Sequence, residues 1–141
     1  MPPVSIEDRL EINDLFVRYT CAIDAGDVDT LVDCFTEDGS LQSPAVGGYA
    51  GHAAIREFAQ RFAAFRNNGS QLRHVISNLM MQVDGDRGHA TCYLTAFLTR
   101  DGKSRLLAPG RYDCELRKTN GAWRFYKRVV LHDHDYTLEG L

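Results

Sequence analysis

The order of apolar and polar residues divides the chain into a helical first half and a strand-forming second half. Before about residue 70, apolar side chains recur every three or four positions, which is the period of an amphipathic helix. After that point, runs rich in β-branched and aromatic residues alternate with Asp-Gly and Asn-Gly pairs, which are strong hairpin signals. Helices followed by consecutive strands predict an α+β domain with the helices on one face of an antiparallel sheet.

Three helices are predicted in the first half. Ser5 is a good N-cap for the first helix, and Gly26 is a good residue to end it. A short second helix should include Phe35, and a loop should follow over residues 39–52, which contain Pro and Gly-Gly. The third helix should begin at about Ala53 and end at an Asn-Asn-Gly sequence.

Four strands are predicted in the second half, over residues 72–83, 89–99, 105–117 and 123–132. Because turn signals join them directly, they should form a meander. A strongly twisted sheet folded around helices leaves a conical cavity, which suits a small apolar molecule. We therefore expect one domain over residues 1–141, a cone-shaped barrel of a curved, mostly antiparallel sheet with three N-terminal helices enclosing a pocket.

Composition narrows the class of protein. The 141 residues carry 16 Lys and Arg against 19 Asp and Glu, a net charge of -3, which argues against nucleic acid or an anionic membrane as the main partner. The chain has no run of eighteen apolar residues, and its N-terminus lacks the pattern of a signal peptide. The four cysteines form no CxxC pair and have apolar neighbours, so we expect reduced, buried thiols and a cytoplasmic protein.

Asp24 and His74 are unusual residues for the apolar faces on which the pattern places them. Asp24 follows the apolar stripe of the first helix, and the alternative interpretation is a cap or a solvent-facing residue. His74 should share a strand face with Leu72, Ile76, Asn78 and Met80, and the alternative is a hydrogen-bonded core histidine. A half-buried imidazole is also a common general base, and a carboxylate beside it fixes its tautomer. Together they are a chemically sensible dyad.

Tyr19 and Arg128 are the next candidates. Tyr19 lies on the stripe of the first helix, where a core aromatic is the alternative interpretation. Arg128 lies on the last strand and, by alternation, should face away from Trp123 and Phe125. It is either a surface arginine paired with a carboxylate of a neighbouring strand or a cation that stabilises negative charge on a substrate.

Other motifs carry less information. His132-Asp133-His134 holds two metal-type ligands, but no third ligand clusters with them, so we expect no metal site and an exposed strand end. The glycines lie at turns and form no nucleotide-binding motif, and Gly-x-Ser-x-Gly is absent. We therefore expect no cofactor. The residues expected to line the pocket around a substrate are Phe16, Ile76, Asn78, Tyr93 and Tyr112.

Taken as a whole, the chain resembles the SnoaL-like branch of the nuclear transport factor 2-like superfamily over nearly its full length. The resemblance rests on a series of short motifs in a fixed order, which are specific for the fold and the branch but not for the reaction. They are DRLEINDL at residues 8–15, YTCAIDAGD at 19–27, LVDCF at 31–35, EDG at 37–39, GHAAI at 51–55, HVISN at 74–78, VDGD at 83–86, GRY at 110–112, GAWRF at 121–125 and KR at 127–128.

Within that branch, the chain is most similar to cofactor-free lyases: scytalone dehydratase, lindane dehydrochlorinase and bile acid 7α-dehydratase. The resemblance implies that Asp24 and His74 are the catalytic pair and that Tyr19 matches a tyrosine of the bile acid enzyme. Arg128 matches an arginine on the last strand of the last two enzymes. The additional lysine of the lindane enzyme would fall at Tyr19, so that part of its machinery is missing here.

The function expected is a cofactor-independent lyase, in the first place a dehydratase, acting on a small hydrophobic cyclic molecule that is aromatic, polyketide-like or steroid-like. An isomerase that uses the same proton transfer is a close variant. The superfamily also holds proteins without catalytic activity, so a small-molecule-binding module or a dioxygenase β-subunit-like partner is the alternative. An apolar outer sheet face, expected to include Val75, Leu79, Met81 and Val83, predicts a homodimer or homotrimer.

Overall fold

The computed structural model describes residues 3–138 and 141, and it confirms the α+β class. The helices are α1 (Ile6–Ala25), α2 (Val28–Asp33) and α3 (Gly51–Asn67). The strands are β1 (Phe35–Ser43), β2 (Gly47–Ala50), β3 (Gln71–Asp84), β4 (Arg87–Arg100), β5 (Lys103–Thr119) and β6 (Ala122–His132).

The six strands form one sheet in the order β2-β1-β6-β5-β4-β3. Strands β3 to β6 are antiparallel neighbours in sequence order, which is the predicted meander. Strand β1 pairs in parallel with β6, and β2 pairs antiparallel with β1. The sheet is open, with β2 and β3 at its edges. The predicted cone is therefore confirmed, but it is not a closed barrel.

Helix α1 has the ends that its sequence predicts. The hydroxyl of Ser5 accepts a hydrogen bond from the N–H of Asp8 at 3.1 Å. Gly26 takes a left-handed conformation with φ of 72°, which glycine adopts without the steric cost of a side chain. The apolar stripe of α1, including Ile12 and Tyr19, is buried. This stripe fixes the face that α1 turns to the sheet, so Asp24 in its last turn lies close to β3.

Residues 35–50 were predicted incorrectly. Helix α2 ends at Asp33, and Phe35 begins strand β1 instead of continuing the helix. The segment expected to be a loop forms the antiparallel pair β1 and β2. The partner of β1 on its other side is β6, which lies about 90 residues later in the chain. Strand β1 is short and partly polar, and it is stabilised by pairing with a strand that is distant in the sequence. Its own residues therefore show little of the alternation by which strands are predicted.

A β-bulge reverses the two faces of strand β3 halfway along it. The register between β3 and β4 shifts between Ser77 and Met80, and Asn78 has φ of 57°. Beyond this bulge, Leu79, Met81 and Val83 pack against the core, whereas Met80 is 72% exposed. The prediction that these three residues belong to the outer face is therefore wrong, since it assumed unbroken alternation.

A second bulge changes the face of Arg128 in strand β6. Glu115 of β5 pairs with Lys127, and Leu116 pairs with Phe125, so Tyr126 is the extra residue. Arg128 and Phe125 consequently face the same buried side, and both are 0% exposed. The prediction that they lie on opposite faces is wrong, and the alternative interpretation of Arg128 as a surface arginine is excluded.

The outer side of the sheet carries exposed apolar residues. We define the outer sheet patch as Val75, Met80, Tyr93, Phe97 and Leu106, on strands β3, β4 and β5. Among the cysteines, Cys34, Cys92 and Cys114 are buried as predicted, but Cys21 is exposed because it lies on the outer side of α1. Within the described residues, no helix combines the length and apolarity needed to cross a bilayer.

Candidate functional site

Asp24 and His74 contact each other where α1 ends against β3. The Oδ1 atom of Asp24 lies 2.6 Å from Nδ1 of His74. Its Oδ2 atom accepts a hydrogen bond from the main-chain N–H of His74 at 2.9 Å. The side chains of His74 and Asp24 are only 9% and 11% exposed, respectively. One carboxylate therefore fixes both the backbone and the ring of the histidine.

This contact determines which ring nitrogen of His74 is free. An ionised carboxylate only accepts hydrogen bonds, so Nδ1 must carry the proton that lies between the two groups. In the neutral imidazole, Nε2 then holds the lone pair and is available to a bound molecule. The end of α1 is also held in place, because the side-chain amide of Gln71 donates to the main-chain oxygen of Asp24 at 2.9 Å. The arrangement is suited to proton transfer.

His74 lines a cavity between the helices and the concave face of the sheet. The polar residues in its wall are Tyr19, Ser43, His74, Tyr112, His132 and Tyr136. The remaining lining residues are apolar: Ile23, Leu41, Val46, Phe58, Phe62, Leu72, Leu94, Ala96, Leu107, Val130 and Leu138. A few polar groups converging in an apolar wall is the usual composition of a small-molecule site.

The cavity is smaller than the predicted hollow. Its volume is about 30 Å³, which accommodates about two water molecules. Small-molecule sites typically enclose roughly 300–1,000 Å³. A fused-ring molecule therefore enters this cavity only if lining residues move apart.

Tyr19 and Tyr112 separate the cavity from Arg128. The guanidinium carbon of Arg128 lies 3.8 Å from the ring centroid of Tyr19 and 3.6 Å from that of Tyr112. Its Nη1 atom contacts the sulfur of Cys114 at 3.6 Å, while Nε and Nη2 have no hydrogen-bond partner in the described part of the protein. Arg128 therefore does not line the cavity, and it contacts the rings that do.

The phenol of Tyr19 stays neutral at physiological pH. Burial raises the pKa of Tyr19 to about 12, although the positive charge of Arg128 acts in the opposite direction. Burial likewise raises the pKa of Tyr112, again against the effect of Arg128. Both side chains consequently present neutral hydroxyl groups, which donate and accept hydrogen bonds but do not serve as bases.

The other predicted pocket residues lie elsewhere. Asn78 is exposed at the bulge of β3, and Tyr93 is 58% exposed in the outer sheet patch, so the prediction that they contact a molecule in the cavity is wrong. Phe16 is fully buried, and its ring packs on Phe125 behind the cavity wall. Ile76 faces inward and packs against the core without lining the cavity.

Two lining residues were missed. His132 was expected at an exposed strand end, but the bulge in β6 turns it inward. Tyr136 follows β6 and packs edge-on against His132, with ring centroids 4.7 Å apart. The sequence offers little signal for His132, because both faces of residues 123–132 carry apolar side chains, and Tyr136 lies beyond the last predicted strand.

A second, larger depression is open to solvent, and several of its polar groups are already paired. It has a volume of about 630 Å³. In its wall, Nε2 of His52 is hydrogen-bonded to the main-chain oxygen of Phe35 at 2.8 Å. The hydroxyl of Thr36 donates to Asp38 at 2.9 Å. Among residues 3–138 and 141, no three His, Cys, Asp or Glu side chains cluster as metal ligands. We therefore place the candidate site in the cavity that His74 lines, which we call the inner cavity.

Comparisons with known proteins agree on one family. A family model described as a SnoaL-like domain matches residues 4–129. An uncharacterized protein of Mycobacterium tuberculosis is 31% identical over 126 residues, which cover 88% of this chain and 84% of that protein. These matches confirm the resemblance inferred from the sequence motifs.

Solved structures show the same fold. A putative aromatic ring hydroxylase from Novosphingobium aromaticivorans has a TM-score of 0.81 and 30% identity, and the match covers 94% of both chains. A putative scytalone dehydratase from the same organism has a TM-score of 0.80 and 17% identity, covering 92% of this chain and 86% of that one. LinA has a TM-score of 0.79 and 20% identity, covering 96% and 92%. The last two establish likeness of fold alone.

Proposed function

The chain belongs to the SnoaL-like family, and from this premise we propose that it is a cofactor-independent lyase, in the first place a dehydratase. Proteins of the same fold include a putative scytalone dehydratase. In this proposal, Asp24 and His74 act on a small hydrophobic cyclic molecule held in the inner cavity.

The observation that carries the proposal is the contact between Asp24 and His74 in the wall of an apolar cavity. An imidazole with Nδ1 bonded to a carboxylate keeps Nε2 free to act as a base. When the ring takes up a proton, the carboxylate 2.6 Å away stabilises the resulting positive charge. The small, mostly apolar cavity leaves room for little water, so charge interactions in it are stronger than in solution.

His74 can serve as both the base that removes the proton and the acid that returns it, so the reaction needs no second catalytic base. Nε2 of His74 removes a proton from a carbon beside a carbonyl group of the substrate, and the C–H electron pair moves to the carbonyl oxygen. The pair then returns to form the C=C bond, and the C–O bond of a hydroxyl on the next carbon breaks. The proton on His74 passes to the departing hydroxyl, which leaves as water. His74 is then neutral again, so no further reactant is required.

Tyr19 and Arg128 have different roles in this proposal. Tyr19 lines the cavity, so its hydroxyl donates a hydrogen bond to the departing group. Arg128 does not reach the cavity and is a positioning residue, since it packs on the rings of Tyr19 and Tyr112. Its charge also makes the phenol of Tyr19 a stronger hydrogen-bond donor, because it opposes the rise in pKa that burial causes.

A substrate can enter the cavity only if part of the protein moves. Tyr136 and Leu138 line it from the segment after β6, which is neither helix nor strand. Such a segment has fewer backbone hydrogen bonds to break than the sheet has, so its displacement is the least costly way to enlarge the cavity. We expect substrates to enter on this side.

The proposal is tested with two β-hydroxy ketones of different size, 3-hydroxycyclohexanone and 3-hydroxy-1-tetralone. The wild-type protein should release water from at least one of them, measured by the absorbance of the conjugated product. His74→Ala should lower the rate by about 10²–10⁴-fold, the usual contribution of a general base. His89→Ala is the matched control, because His89 forms a 2.7 Å contact with Asp113 at the surface.

Three results contradict the dehydratase proposal in different ways. If the α-proton exchanges with D₂O without loss of water, the same proton transfer serves an isomerase. If the compounds bind and are recovered unchanged with no exchange, the protein is a small-molecule-binding module, which is the alternative function. If His74→Ala retains the wild-type rate, the dyad is not the catalytic group.

A further inference from the structure

His132 is a second imidazole in the wall of the inner cavity. It is the last residue of β6 and lies on the inward face with Arg128 and Val130, because the bulge at Tyr126 shifts the alternation. It lines the same cavity as His74. The mechanism described above assigns no role to this residue.

The ring of His132 has no hydrogen-bond partner within the described part of the protein. Its Nδ1 and Nε2 atoms are both buried and unpaired, whereas Nδ1 of His74 is bonded to Asp24. A neutral imidazole has one donor and one acceptor, and leaving such buried groups unmet is unfavourable for folding. The ring of its neighbour Tyr136 lies perpendicular to the imidazole, with centroids 4.7 Å apart. Polar groups of this kind are candidates for contact with a ligand.

The surroundings of His132 favour its neutral form. Burial lowers its pKa, and the positive charges of protonated His134 and His74 act in the same direction, while Asp133 opposes them. A neutral imidazole donates an N–H hydrogen bond but is a weak acid. It is therefore suited to an oxygen that gains negative charge without taking a proton.

We propose that His132 donates this hydrogen bond to the carbonyl oxygen of a cyclic β-hydroxy ketone while His74 removes the neighbouring proton. This assignment rests on the proposed function and adds one residue to its site. The electron pair released by the C–H bond becomes an enolate oxygen, and the bond from His132 strengthens as that charge develops. The pair then returns and expels the hydroxyl group, so His132 keeps its own proton throughout.

Three polar residues of the cavity then have separate roles. His74 transfers the proton, Tyr19 contacts the departing hydroxyl, and His132 holds the carbonyl group. A ring compound without a carbonyl group leaves the N–H of His132 unmet, so the site discriminates against it. The substrate is therefore defined by its carbonyl group as well as by its apolar ring.

A pair of small ligands tests the assignment without turnover. Cyclohex-2-enone and methylenecyclohexane have similar size, but only the first has a carbonyl oxygen. Their dissociation constants are measured by NMR titration for the wild type, His132→Phe, His132→Gln and the surface control His89→Phe. We expect the preference for the enone to fall about tenfold in His132→Phe and to be partly retained in His132→Gln, whose amide still donates. The control should keep the wild-type ratio.

A second measurement shows that these variants remain folded. His132→Phe removes two unpaired nitrogens from the interior, so its urea midpoint should equal or exceed that of the wild type. A structural histidine would instead lower the midpoint when replaced. A lower midpoint, an unchanged preference for the enone, or binding of neither compound by the wild type overturns the assignment.

Failure of the proposed function has a different signature. If the wild type prefers the enone through His132 but exchanges no α-proton of 3-hydroxycyclohexanone, the carbonyl contact stands and the lyase activity does not. If exchange and water loss occur at the same rate in His132→Phe as in the wild type, the lyase activity stands and the role of His132 is refuted.

Discussion

Replacing Asp24 with asparagine should invert the tautomer of His74. In the wild type, both carboxylate oxygens of Asp24 accept, one from the ring and one from the main-chain N–H of His74. An asparagine has one oxygen and one NH₂ group, so it cannot accept both bonds. If its oxygen keeps the main-chain bond, the NH₂ group faces Nδ1, and the ring must move its proton to Nε2. The base nitrogen is then blocked.

The magnitude follows from the two bonds that Asp24 accepts. In Asp24→Asn both bonds remain but become neutral, and a neutral bond contributes about 1–1.5 kcal/mol less than a bond to a charged group, so the two changes together cost about 2–3 kcal/mol of unfolding free energy. For a chain of 141 residues, this lowers the melting temperature by about 5–10 °C. A wrong tautomer at a base lowers the rate by about 10²–10⁴-fold, so activity should fall far more than stability.

The assay is ¹⁵N NMR of the histidine rings, in which the proton-bearing nitrogen is identified by its one-bond coupling. The wild type should show a proton on Nδ1 of His74, and Asp24→Asn should show it on Nε2. Asp113→Asn is the control, because Asp113 and His89 are 45% and 49% exposed and their contact contributes less than about 1 kcal/mol. The reasoning is refuted if Asp24→Asn keeps the proton on Nδ1, or if both Asp→Asn changes cost equal stability.

Three further predictions concern Arg128, His132 and the outer sheet patch. Arg128→Met should change the unfolding free energy by less than about 2 kcal/mol in urea titrations, because the stacking on Tyr19 and Tyr112 is lost together with two unpaired nitrogens. Arg128→Ala leaves a cavity and should cost about 3–5 kcal/mol. Equal costs for the two variants would contradict this. The pKa of His132 lies below its ordinary value of 6.5, so the unfolded chain binds a proton that the folded chain does not, and stability should decline as the pH falls below about 6.5. His132→Phe should weaken that decline between pH 8 and pH 5, and an unchanged pH profile would argue against burial as its cause. The outer sheet patch should join copies of the chain in a dimer or trimer, so light scattering should give a multiple of 15.8 kDa for the wild type and a monomer for Val75→Glu; a monomeric wild type would exclude this.

Much of the fold was predictable because its signals are local. The ends of α1 depend on Ser5 and Gly26, which act on the backbone within a few residues. The meander of β3 to β6 depends on turn residues between consecutive strands, and these pairings needed no distant information. Strands β1 and β2 were missed because β1 pairs with β6, a neighbour from the other end of the chain.

The candidate site likewise contains residues that local sequence signals identified and residues that they misplaced. Asp24, His74 and Tyr19 were identified because each is an unusual or oriented residue within a regular helix or strand, and the motif order supported them. Asn78 was assigned to the wrong face because alternation was continued across a bulge. The same kind of error hid His132, since the bulge in β6 reverses the inward and outward positions beyond Tyr126.

The sequence by itself therefore indicated the helices, the four-stranded meander, the family, the cavity residues Tyr19 and His74, and Asp24, which contacts His74. Only the tertiary structure decided where bulges interrupt the long strands. The bulge in β6 places Arg128 behind two tyrosines and His132 inside the cavity. The physical reason is that the faces of a strand alternate with a period of two, so one extra residue exchanges them. Whether that extra residue is accommodated depends on the neighbouring strand and on the core that both must cover.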